Sequence, residues 1–101
     1  MDEARYLQSK KEFFMKQLKD DIDHCNRVIE SDERDIAYFE EFSQREIQKV
    51  ENNENMTEKE KEQEKSMILY RMEKDKIQRQ SEIEKSKKLI AFTEKTLQEL
   101  Q

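Results

Sequence analysis

The chain contains no glycine and no proline in 101 residues. Glycine supplies the positive-φ positions of tight turns, and proline pre-sets turns and stops helices. A chain without either has few ways to reverse direction, which excludes a sheet built from hairpins or a globule with many loops. Its polar residues are mostly Glu, Lys, Gln and Arg, all good helix formers, and Asp, Glu, Lys and Arg together make up 45% of the chain. A hydrophobic fraction of 33% could permit disorder. The helix-forming character of the polar majority favours an all-α chain instead, and the length allows one domain over residues 1–101.

One break stands out, at Glu51-Asn52-Asn53-Glu54-Asn55-Met56-Thr57. Asn side chains compete for backbone hydrogen bonds, so Asn52, Asn53 and Asn55 are poor helix interior. Asn also tolerates the left-handed conformation that ends helices when glycine is missing. Thr57-Glu58-Lys59-Glu60 then reads as a capping box that starts a second helix. The expected organisation is a helix over about 3–51, a turn over about 52–57 and a helix over about 58–100.

Placed at 100° per residue, the first helix shows a stripe of Leu7, Phe14, Leu18, Ile22, Cys25, Val28, Ile29, Ile36, Phe39, Ile47 and Val50. Phe14, Cys25, Ile36 and Ile47 recur at about eleven residues, a spacing that predicts a nearly straight helix pair. The second helix offers Ile68, Met72, Ile83, Ile90, Leu97 and Leu100, interrupted by Arg79, Ser86 and Thr93. Folding the chain back at 52–57 sets Ile36 against Met72, Cys25 against Ile83, Leu18 against Ile90 and Leu7 against Leu100. The same fold sets the acids of 20–35 against Lys74, Lys76, Arg79, Lys85, Lys87 and Lys88. Matching apolar positions and opposite charges favour an antiparallel two-helix coiled-coil hairpin over one continuous helix.

Bulky residues remain outside that stripe: Tyr6, Phe13, Tyr38 and Phe42 on the first helix, and Tyr70, Ile77 and Phe92 on the second. The apolar arc is too wide for a single partner helix. Two hairpins packing into an elongated four-helix bundle, a homodimer, would cover it. A docking face for a different protein is the other reading.

Little in the sequence suggests chemistry. Asp20, Asp21, Asp23, His24 and Cys25 are the only cluster of metal-capable types, and Asp21-x-x-His24 is similar to the Glu-x-x-His unit of di-iron bundles, which need two such units and further carboxylates on other helices. With a single His and a single Cys, adjacent in sequence and pointing about 100° apart on a helix, neither a metal centre nor a nucleophilic relay is expected. Phosphate-cradling loops need glycine. No cofactor and no small-molecule substrate are expected.

The net charge of −5 argues against direct nucleic-acid binding. No apolar run is long enough to span a membrane, and the start of the chain does not read as a signal peptide. The lone cysteine suits a reducing compartment such as the cytoplasm. These features predict a non-enzymatic structural or adaptor protein whose partners are proteins. The alternative is a small acidic inhibitor whose face of Asp20, Asp21, Asp23, Asp32, Glu33 and Asp35 fills a basic site on an enzyme or nucleic-acid-binding protein.

Overall fold

In the computed structural model, which describes residues 2–101, the chain forms two helices. Helix α1 runs Glu3–Glu51 and helix α2 runs Glu58–Leu100. They have 49 and 43 residues, hence lengths of about 74 Å and 65 Å at 1.5 Å per residue. The architecture is an antiparallel helical hairpin.

Local hydrogen bonds set the helix ends. Asp2 caps α1, its Oδ1 accepting from the Ala4 amide at 3.1 Å. At the start of α2 the Glu60 amide donates to Thr57 Oγ1, and the Thr57 amide donates to Glu60 Oε1, each at 3.2 Å. Two otherwise orphaned donors are thereby satisfied reciprocally. Between the helices Asn53 Oδ1 accepts from the Asn55 amide at 2.9 Å, so the Asn side chain substitutes for a backbone carbonyl in the turn. The sequence suggested a left-handed Asn here. No described residue has positive φ, and side-chain hydrogen bonding reverses the chain instead.

Burial on α1 follows heptads rather than the eleven-residue step. Met15, Ile22, Ile29, Ile36, Ser43 and Val50 form one line of buried or half-buried positions; Leu18, Cys25, Asp32, Phe39 and Glu46 form the other. On α2 the lines are Met72, Arg79, Ser86, Thr93, Leu100 and Lys76, Ile83, Ile90, Leu97. Leu7 and Phe14, assigned to the seam by the longer repeat, are exposed, and Met15 takes the seam position beside Phe14. Arg79, Ser86 and Thr93 do not interrupt the seam but occupy it.

The chain divides into two compact units, one of Met1–Glu30 with Ile83–Gln101 and the other of Ser31–Glu82. Among the described residues the buried hydrophobic side chains, Leu18, Cys25 and Ile83, belong to the first unit, together with buried Thr93. In the second unit the buried residues are polar: Asp32 and Ser43.

Three cations of α2 clamp the second unit through ion pairs to α1. Lys65 reaches Glu51 at 3.4 Å, Lys76 reaches Glu40 at 3.1 Å, and Arg79 reaches Asp32 at 3.1 Å and Asp35 at 3.5 Å. Lys61 Nζ also donates to the Glu51 carbonyl at 3.0 Å, closing the C-terminal end of α1 with a side chain from α2. These pairs place Met72 with Phe39 and Ser43 rather than with Ile36. In this unit the register is offset by about one helical turn from the one the apolar positions suggested.

Candidate interaction surface

In the first unit, exposed apolar side chains lie on both helices: Tyr6, Leu7, Phe13 and Phe14 on α1, and Leu89 and Phe92 on α2. Phe13 is 71% exposed and Phe92 68%, so neither contributes to the seam. Leu7 and Phe14 share one heptad line, and Tyr6 and Phe13 share the next. Leu7, Phe14 and Leu89 were missed as surface residues. For α1, extending the line of Ile36, Ile29 and Ile22 back to Met15 would have displaced Phe14 from the core.

In the second unit, Tyr38 stacks on Phe42 with ring centroids 6.0 Å apart and planes at 21°, and meets Phe39 edge-on at 6.2 Å. These rings, with Ser43, Ile68 and Met72, line a groove of about 380 Å³ that also touches Glu46, Arg71 and Asp75. A seam residue as small as Ser43 explains the groove, since a larger apolar residue would fill the space between Phe39 and Ile68. Tyr70 and Ile77, a heptad apart on α2, form a separate exposed line flanked by Glu73 and Lys74.

The acids expected to form one face are divided. Asp20, Asp21, Asp23 and Glu33 are exposed. Asp35 is half-buried and held by Arg79. Asp32, only 3% exposed, is buried against Arg79 and is withdrawn from any partner. Its second oxygen, Oδ2, is buried without a hydrogen-bond partner. The sequence places Asp32 with the acidic face by residue type, although its heptad relation to Cys25 and Leu18 puts it in the seam.

Among the described residues no group of three or more His, Cys, Asp or Glu is placed to hold a metal ion. Cys25 is buried while its neighbours Asp20, Asp21, Asp23 and His24 face outward. Nor is any helix among them long and apolar enough to cross a membrane. The surface offers exposed aromatic area flanked by charge. No known protein family, curated protein or solved structure matches the chain.

Proposed function

We propose that this chain is a non-enzymatic assembly protein that pairs with a second copy and presents stiff helices as an adaptor between protein partners, within a reducing compartment. The observation that carries this reading is the imbalance of apolar surface. Among the described residues three hydrophobic side chains are buried and the other apolar side chains of the seam are only half-buried, whereas Tyr6, Leu7, Phe13, Phe14, Tyr38, Phe42, Met67, Leu69, Tyr70, Ile77, Leu89 and Phe92 are exposed. Ordering each residue costs about 1–2 kcal/mol of backbone entropy, and covering one large apolar side chain returns roughly 1.5–3 kcal/mol. A hairpin with so thin a core gains most by covering those side chains, and four helices enclose what two cannot. The acidic-inhibitor alternative is weakened because Asp32 and Asp35 are already committed to Arg79.

Sedimentation equilibrium tests the reading. A dimer at micromolar concentration, with thermal stability that rises with protein concentration, is expected. Phe13→Ser combined with Phe42→Ser should leave monomers of much lower helicity. A well-folded monomer of the unaltered chain overturns the self-association and leaves the aromatics as a surface for another protein.

A further inference from the structure

Helix α1 carries two small exposed patches whose charges run in opposite order. The first, in the unit containing the N-terminal half of α1, reads Lys10, Phe13, Asp20: cation, aromatic, anion. At 100° per residue these lie within about 80° of one another. The second, in the unit containing the turn, reads Arg34, Tyr38, Glu41. Read backwards, it is anion, aromatic, cation. Phe14 adjoins the first patch and Phe42, stacked on Tyr38, adjoins the second.

Many exposed charges of α1 are left unpaired by the hairpin, and these four are among them. Among the described residues, Lys10, Asp20, Arg34 and Glu41 are exposed and make no ion pair within the chain. Their neighbours Asp35, Glu40 and Glu46 hold Arg79, Lys76 and Lys49 respectively. The ion pairs of the hairpin use only a few of the charges on α1, and the four of the two patches, which are complementary in order, are among those left free for a partner.

We infer that the occupant of each patch is the other patch on a second copy, so that two α1 helices lie antiparallel across a two-fold axis near residues 25–26. Lys10 then meets Glu41 of the second copy, Phe13 meets Tyr38, and Asp20 comes within about one helical turn of Arg34. Two-fold symmetry repeats every pair, so one partner satisfies both patches at once. A parallel pairing would set Lys10 on Lys10 and Glu41 on Glu41. The inference rests on the self-association proposed above and specifies its surface and direction.

Charge exchange tests it. Lys10→Glu with Asp20→Lys in one chain sets like charges opposite each other in the dimer, as does Arg34→Glu with Glu41→Lys in another. Each altered chain alone should dimerise about tenfold or more weakly than the unaltered chain, since four pairs become repulsive. Mixed together, the two altered chains should form a heterodimer of near-original affinity, because every pair is again of opposite sign.

Direction is read separately, in a Cys25→Ala background. His24→Cys, close to the two-fold axis, should form an intermolecular disulfide, whereas Gln17→Cys should not, its counterpart lying about 25 Å away along the helix. Disulfides at both positions would indicate a parallel pair and overturn the inference. Dimers that survive both charge exchanges unchanged, yet dissociate on Phe13→Ser with Phe42→Ser, would overturn it too while leaving the proposed self-association standing. A monomeric unaltered chain would remove both.

Discussion

The two units of this hairpin are built from the same pair of helices but held by different physics. In the unit formed by the chain's ends, Leu18, Cys25 and Ile83 are buried, and no cross-helix ion pair is found among its described residues. In the unit formed around the turn, the buried side chains are Asp32 and Ser43, and Lys65, Lys76 and Arg79 reach across to acids on α1. Hydrophobic burial is non-directional and tolerates small slips. A buried carboxylate beside one guanidinium does not tolerate them, because a slip strands the charge without its partner. The terminal unit should therefore contribute adhesion, and the turn unit alignment.

The largest expected effect tests the alignment half. Arg79→Ala leaves the Asp32 carboxylate buried with neither oxygen satisfied, and should cost about 3 kcal/mol. Hydrogen exchange should accelerate first within 31–82. Replacing both residues, Asp32→Leu with Arg79→Leu, should recover stability to within about 1 kcal/mol while loosening the choice of register. A loss below about 0.5 kcal/mol for Arg79→Ala would mean that the pair is an ordinary surface contact.

Next in size is the adhesive half. Ile83→Ala removes one of its few buried apolar groups and should cost about 2 kcal/mol, the lower end for such truncations because the site sits close to solvent. Amide protection should fall in 1–30 and 83–101 while the turn unit keeps its own. Equal loss in both units would show that they open as one.

The smallest effect concerns the end of α1. Lys65 has its pKa raised above the ordinary 10.5, chiefly by its hydrogen bond to Glu62; desolvation opposes the shift, and the charge of Glu62 and the contacts with Glu51 add to it. A cation whose folded pKa is raised contributes stability that is fully present below 10.5 and is lost as pH rises through the higher folded value. A slight loosening of the turn unit above that pH is expected, and Lys65→Met should abolish the pH dependence. Nuclear magnetic resonance of residues 51–65 would register it. An unchanged profile in the substituted chain would assign the alkaline loosening to other groups.

What the sequence determined by itself is local. The absence of glycine and proline set the helical class, and Asn52, Asn53 and Asn55 followed by Thr57 and Glu60 placed the break, because capping and turn hydrogen bonds join residues within about four positions of each other. The exposure of Tyr6, Phe13, Tyr38, Phe42, Tyr70, Ile77 and Phe92 could also be read in advance, whereas that of Leu7, Phe14, Met67, Leu69 and Leu89 could not. Register and the membership of the seam could not. Stripes of seven and of eleven residues share Leu18, Cys25, Ile29 and Ile36, so in α1 they part mainly at its start, where Met15 competes with Phe14. The second helix decides between them. Asp32 looks like a surface charge by residue type and Arg79 like a gap in its stripe, and the two become a seam layer when they meet at 3.1 Å. Pairing across the hairpin compares whole surfaces, and in the turn unit the cross-helix ion pairs outweigh the simple alignment of apolar side chains.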